Sequence, residues 1–428
     1  MFLDEQIANL SRRIKNIEAN PRPDLMKSNK LRYEIELDSM LHAAEAWKAG
    51  KPFAILGGVE ILNLPLGFEQ QGYVEWGDRA RAPERYMNIA VNKFGWSEHT
   101  CDRTLAALGL LLSGEVPMPR VMSSRRMPCE PERWSLMAAA KYAGILFFEV
   151  DRLNSIGEQN LRTVADHMAE LIEFCEKSVP GIKFDESRLV ELLEMDDQAT
   201  KYLRATYDLR KKEPCPIGPQ DAFRLIRMPS RHHDPPKVLE YCKMFSEEML
   251  ERSDKNMSGV KEENLRIAWL ATGPFGRGTF DLLAKKGVSL PWFHYGLGPQ
   301  TFGVMHDDYG EDKIYGRKLK PLEEVVRTWH ANVWGADAAT WVDPLVTVCR
   351  DLKIDAVVDF MQVGCRTTNS MRWITAKRLK DELGIPTLDL EGRELYATES
   401  AQQEMNRKLE EFLDMCIANK KAGKAKVK

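Results

Sequence analysis

The sequence predicts an α/β protein built from two doubly wound parallel-sheet domains, with a helical N-terminus and a mainly helical insert between them. Three observations carry that reading. Short apolar runs ending in glycine or turn residues alternate with helical patterns. Strands buried on both faces read this way when helices cover a parallel sheet. The alternation comes in two series, and residues 151–260 between them keep only the helical periodicity. A chain of 428 residues has room for two or three domains. The expected organisation is a helical segment over 1–50, a first α/β domain over 51–150, a helical region over 151–260 and a second α/β domain over 261–428.

Each element has its own signal. From Met26 to Lys48, Leu31, Ile35, Leu37, Met40, Leu41, Ala44 and Trp47 recur mostly three or four residues apart, one face of a helix. Pro52–Gly57 (PFAILG) opens the first strand series, followed by Glu60–Gly67, Pro119–Ser123 and Gly144–Val150. Helical patterns over Pro83–Asn92, Ser97–Leu112 and Pro131–Tyr142 lie between these runs. The insert carries helices at Gly157–Lys177, Glu186–Leu209 and Pro236–Arg252, the last two separated by a loop rich in proline and histidine. The second series comprises Leu265–Thr272, Val288–Tyr295, Ala356–Val363 and Pro386–Leu390. Its helices fall at Pro321–Thr328, Pro344–Leu352, Thr368–Leu383 and Ser400–Ala418. Both series suit a flavodoxin-like winding, in which ligands bind outside the carboxyl ends of the strands. No repeat of 20–50 residues is visible. The tail Lys420–Lys428 carries five lysines and reads as a solvated, frayed end.

Composition narrows the class. With 61 basic against 64 acidic side chains the formal charge is -3, which leaves no electrostatic footprint for nucleic acid. The longest wholly apolar stretch, Leu105–Leu112, is far shorter than the roughly 20 residues that span a bilayer. Asp4, Glu5, Arg12 and Arg13 near the start leave no apolar signal region, so a cytoplasmic protein is expected. Eight cysteines, none in a CxxC pair, are too sparse for a disulfide scaffold.

Position sorts those cysteines. Cys175, Cys242, Cys349 and Cys416 each extend the apolar stripe of a predicted helix and read as small buried hydrophobes. Cys215 stands between two prolines and has no assignment. Cys101, Cys129 and Cys365 differ: all three fall at helix N-termini. Ser97 is placed to cap the first helix, Pro131 marks the start of the second, and Thr367 or Thr368 can cap the third. Orphan N–H groups and partial positive charge there are expected to lower thiol pKa and favour thiolate, the metal-binding form. Three thiolates drawn from both domains suit an iron–sulfur cluster with one iron left open, or simply three thiols near helix starts.

Three segments carry a resemblance. Phe94–Leu108 (FGWSEHTCDRTLAAL), Val116–Trp134 (VPMPRVMSSRRMPCEPERW) and Asp355–Met415, with GCR at Gly364–Arg366 followed by LGIPTLDLEG, resemble in order and separation the cysteine segments of the 2-hydroxyacyl-CoA dehydratase family. That family includes the B- and C-type subunits of benzoyl-CoA reductases and double-cubane cluster proteins. The resemblance implies a [4Fe-4S] cluster held here by Cys101, Cys129 and Cys365. It further implies an acyl-CoA thioester substrate, and a homologous smaller subunit or second copy as partner. An ATP-dependent iron–sulfur activator protein would supply the electron. One electron added to the thioester carbonyl gives a ketyl radical anion that expels the neighbouring hydroxyl. The β-proton of the resulting enoxy radical is acidic enough to leave, and return of the electron yields enoyl-CoA.

The resemblance has a departure. Ala54–Glu60 (AILGGVE) is similar to the family's strand ending in proline–x–glutamate, with Glu60 at the acid position, but Gly58 replaces the proline and Ile55 stands where many dehydratase subunits have serine. Proton transfer is then arranged differently, or the reaction is a reduction of the benzoyl-CoA type. A third alternative is a cluster-free α/β subunit that binds acyl-CoA or a partner. His306, after Thr301–Met305, is a second candidate for proton transfer. His99, two residues from Cys101, and Arg366, beside Cys365, are candidates to tune the cluster or offset its charge. Gly273–Gly278 (GPFGRG) reads as a tight turn, and His232-His233-Asp234 as a surface loop.

Overall fold

The computed structural model describes residues 2–22, 25–125, 129–151, 157–223, 228–274, 278–294, 315–330 and 338–426. Helices α1 (Phe2–Ala19) and α2 (Asn29–Lys48) precede strand β1 (Phe53–Leu56). A 3₁₀ turn at Glu60–Leu62 and α3 (Asn63–Leu66) lead to the short edge strand β2 (Glu69–Gln70). Next come α4 (Tyr73–Asp78), α5 (Pro83–Asn88) with a π-helical extension at Ile89–Lys93, and α6 (Asp102–Ser113). They are followed by β3 (Val121–Arg125), α7 (Glu130–Ala143) and β4 (Leu146–Val150). Four helices then follow: α8 (Glu158–Ser178), α9 (Glu186–Leu209), α10 (Pro219–Ala222) and α11 (Pro235–Asp254). The second strand series runs β5 (Leu265–Leu270), α12 (Thr279–Lys285), β6 (Val288–Phe293), α13 (Pro321–His330) and α14 (Ala338–Asp351). It closes with β7 (Ala356–Gln362), α15 (Arg366–Leu383), β8 (Thr387–Gly392) and α16 (Glu399–Lys426).

Each strand series makes a four-stranded sheet, in the orders β2-β1-β3-β4 and β6-β5-β7-β8, and every pairing is parallel. The two domains are therefore wound alike. In each, the order reverses between the first and third strands, which is where a doubly wound sheet opens a crevice. The repeat absent from the sequence is present in the topology.

The period-two alternation of the strands sends side chains to two cores. Phe53 and Ile55 of β1 join a layer with α1, α2, α6 and α7, whereas Ala54 and Leu56 join one with α8 and α13. In the second sheet Ile267 and Trp269 face α11, α12 and α16, while Ala268 and Leu270 face α14. Helix α9, started by Asp185, whose carboxylate accepts the N–H groups of Ser187 and Arg188, serves both domains. Its Leu189 and Leu193 enter the first core, and its Ala199 and Leu203 the second.

Two segments differ from expectation. Glu60–Gly67 is helical rather than a strand: the Gly57-Gly58 turn ends the extended run, and Leu62 and Leu66, four apart, are both buried on one face. The lysine tail continues α16 to Lys426, with Lys420 paired to Asp355. Cys175, Cys242, Cys349 and Cys416 are buried in the cores, and so is Cys215.

Candidate functional site

Cys101, Cys129 and Cys365 are themselves the N-cap residues of α6, α7 and α15. In each case the cysteine carbonyl accepts the first helical N–H, from Leu105 (3.0 Å), Arg133 (3.2 Å) and Asn369 (3.3 Å). The capping expected of Ser97 and of Thr367 or Thr368 is thus displaced. Ser97 instead accepts the His99 N–H in the turn before Cys101. Cys129 and Cys365 hold matching places, each entering the helix after the third strand of its sheet.

Among the described residues, several contacts join the two domains around these cysteines. Gly364 lies with φ +83 against the backbone of His99, Thr100 and Cys101, so closely that a Cβ there would stand 2.5 Å from the His99 carbonyl oxygen. Gln362 Nε2 donates to Cys101 Sγ at 2.7 Å. Arg366 Nη1 donates to Glu130 Oε2 at 2.7 Å, joining the starts of α15 and α7. Buried Asp102 accepts from Arg393 at 2.5 Å and from the backbone N–H groups of Leu395 and Tyr396.

Electrostatics reverses the expected effect of the helix starts. Burial pushes the Cys101 thiol up to about 12, and the Glu394 carboxyl and the Cys365 sulfur push the same way. The Thr104 N–H and Arg103 oppose this without overcoming it. The Cys129 thiol is raised well above its ordinary value by burial, by Glu132 and by the Cys101 and Cys365 sulfurs. One turn of helix dipole does not repay the loss of water around a thiolate that also faces other thiols. A positive centre between the sulfurs reverses this balance, because coordination deprotonates a thiol outright.

The chemistry of the donor set fits a cationic iron–sulfur group: three thiols from two domains, each on a helix start that supplies N–H groups. Among the described residues, no three Cys, His, Asp or Glu side chains gather as a single metal ion requires. A cubane differs in taking each thiolate on a separate iron.

The remaining candidates fall in different places. Glu60 follows β1, accepts the Gly58 N–H at 3.1 Å and has Arg231 Nη2 at 3.6 Å. Its charge also reaches Glu132. His99 is exposed, and its contribution is the backbone carbonyl under Gly364. Arg366 is largely exposed. His306 lies outside the described residues. His232 is buried rather than on a surface loop, because α2 packs over it, and His233 stacks on His42 at 4.3 Å.

Three polar residues escaped the sequence reading. Glu132, three residues after Cys129, is held up to about 7 by burial and by the charges of Glu60 and Glu75. Its i+3 spacing from the cysteine was the available signal. Glu394 follows β8 and is 1% exposed, with neither carboxylate oxygen hydrogen-bonded among the described residues and Arg103 Nε at 3.9 Å. Burial raises its pKa well above the ordinary range, against the pull of Arg103. Neither Glu394 nor Gln362 carries a local signal. A cavity of about 630 Å³ opens between the domains, lined in part by Met87, Glu98, Leu105, Val363, Arg393 and Tyr396.

The fold is that of a two-domain α/β protein with two doubly wound sheets, a class in which ligands bind outside the carboxyl ends of the strands. Residues 79–416 match the family model described as 2-hydroxyglutaryl-CoA dehydratase, D-component, and the chain belongs to that family. It is also 17% identical over 272 residues to the (R)-phenyllactyl-CoA dehydratase alpha subunit of Clostridium sporogenes, covering 63% of each chain. The matched part is thus less than two thirds of that relative's length. The three cysteines lie within the family match and Glu60 lies before it. Among the described residues no helix is long and apolar enough to cross a membrane.

Proposed function

We propose that this chain is the iron–sulfur subunit of a 2-hydroxyacyl-CoA dehydratase, working in the cytoplasm with a partner subunit and an ATP-dependent activator. The observation that supports the reading is that Cys101, Cys129 and Cys365 are each a helix N-cap, with Gly364, beside Cys365, packed on the backbone of Cys101 from the other domain. The family membership and the dehydratase alpha subunit among its relatives favour elimination over reduction. When bound, a [4Fe-4S] cluster supplies an electron at very low potential and a Lewis-acidic iron for the thioester carbonyl.

The chain's own residues do the rest. The three thiols bind, and the N–H groups at Thr104 and Glu132 spread the negative charge of Cys101 and Cys129. Gly364 and Asp102 hold the domains together beside Cys101, and a site closed to water protects a radical from side reactions. Glu132, poised near neutrality beside Glu60, can hold or release a proton next to Cys129. Glu60 with Glu132 takes the proton-transfer role that the altered Gly58 motif leaves open.

Anaerobic reconstitution of the full chain tests the first half. About four irons and four sulfides per chain are expected; a colourless, iron-free protein would refute it. Product analysis with partner, activator, ATP and a 2-hydroxyacyl-CoA tests the second. Enoyl-CoA is expected, whereas turnover of an aromatic acyl-CoA alone would reassign the chain to a reductase.

A further inference from the structure

Gln362 ends β7, yet its side chain acts on the other domain. Its Nε2 is 2.7 Å from Cys101 Sγ, and Thr272 Oγ1 donates to its Oε1 at 3.0 Å. All three are buried: Gln362 is 3%, Thr272 6% and Cys101 8% exposed. A primary amide out of water is costly unless both its ends are paired, and here both are. The Thr272 hydroxyl occupies Oε1, which leaves the amide N–H for sulfur. A ligating Cys101 would be a thiolate with no proton to give, so the same orientation suits it.

Resting on the reading that Cys101 ligates a cluster, the geometry points to Gln362 as a positioning residue that raises the cluster's reduction potential. It does so through an N–H···S hydrogen bond to Cys101, with Thr272 holding the amide in place. Added electron density in a reduced cluster falls partly on its sulfur ligands, so a donor at sulfur stabilises the reduced state more than the oxidised one. Arg103 and the Thr104 N–H act on the same sulfur from the first domain; among the described residues, Gln362 is the hydrogen-bond donor to it from the second.

The test is a mediated redox titration of the anaerobically reconstituted full chain, followed by the electron paramagnetic resonance of the reduced form. Gln362→Met keeps length and removes the donor; full iron with a more negative midpoint is expected. Gln362→Glu, which adds negative charge, should shift further in the same direction. Thr272→Val should give a smaller shift, and Thr272→Ser should restore the wild-type value. Full iron with an unchanged midpoint in Gln362→Met would overturn this inference while leaving the cluster reading intact. A wild-type chain without iron would overturn both. If Gln362→Met fails to fold or hold iron, Thr272→Val decides, and a wild-type midpoint there counts against the inference.

Discussion

Replacing Gly364 by alanine should separate the Cys365 loop from the Cys101 segment, and the cost can be worked from two glycines. At Gly364, φ is +83, and a Cβ would meet the His99 carbonyl oxygen at 2.5 Å, Cys101 N at 2.7 Å and Thr100 C at 2.8 Å. All three are backbone atoms, so no rotamer change relieves the overlap. Gly384, the C-cap of α15, is the control, with φ +67 and nothing within 4 Å of its Cβ position. Left-handed strain costs an alanine about 1–2 kcal/mol at either site, and the stiffer unfolded chain returns about 0.4–1 kcal/mol. Gly364→Ala adds an overpacking cost of about 1–3 kcal/mol. Gly384→Ala should therefore lose roughly 1 kcal/mol and Gly364→Ala about 2–4 kcal/mol. Urea unfolding of the iron-free protein measures the stability difference, and iron content after reconstitution measures the consequence. Gly364→Ala should hold little iron while Gly384→Ala holds the wild-type amount. Equal unfolding midpoints and equal iron in the two variants would refute the close packing of the domains on which the site depends.

The cysteines give a second contrast: Cys101→Ala, Cys129→Ala and Cys365→Ala should each lose the cluster. Cys175→Ala, deep in the first core, should keep it and lose about 1 kcal/mol of stability; equal iron in all four variants would contradict the sorting. The carboxyl of Glu132 sets a pH dependence with a definite sign. Its folded value near 7 lies above the ordinary 4.5, so the folded state binds the proton more tightly. Its contribution is intact below about 4.5 and is lost as pH rises through about 7, on the order of 3 kcal/mol. Glu132→Gln should flatten that decline in unfolding free energy measured between pH 4.5 and 7.5, and an unchanged slope would remove Glu132 from the site. Asp102→Ala should cost about 3 kcal/mol in urea unfolding, because it removes the buried acceptor of Arg393 and of two part-buried N–H groups. Arg366→Ala, breaking a largely exposed pair with Glu130, should cost under about 1 kcal/mol; a loss as large as that of Asp102→Ala would show the pair to be buried in the working assembly.

Local pattern by itself determined the layers of this protein. Alternation in PFAILG already divides Phe53 and Ile55 from Ala54 and Leu56, because a strand's side chains leave opposite faces whatever lies beyond them. The i, i+3, i+4 stripes likewise marked Cys175, Cys242, Cys349 and Cys416 as core. The positions of Cys101, Cys129 and Cys365 at helix starts were legible too, although not that the thiol residues themselves occupy the caps. Tertiary structure decided what those cysteines face. The second sheet brings Gln362 and Glu394 to Cys101 from more than 250 residues away in sequence, a proximity that leaves no trace in either segment. It also set the direction of the thiol shifts. A helix start acts through its own first turn, and the sequence shows that turn; desolvation is imposed by whatever packs on top, and only the folded chain supplies it.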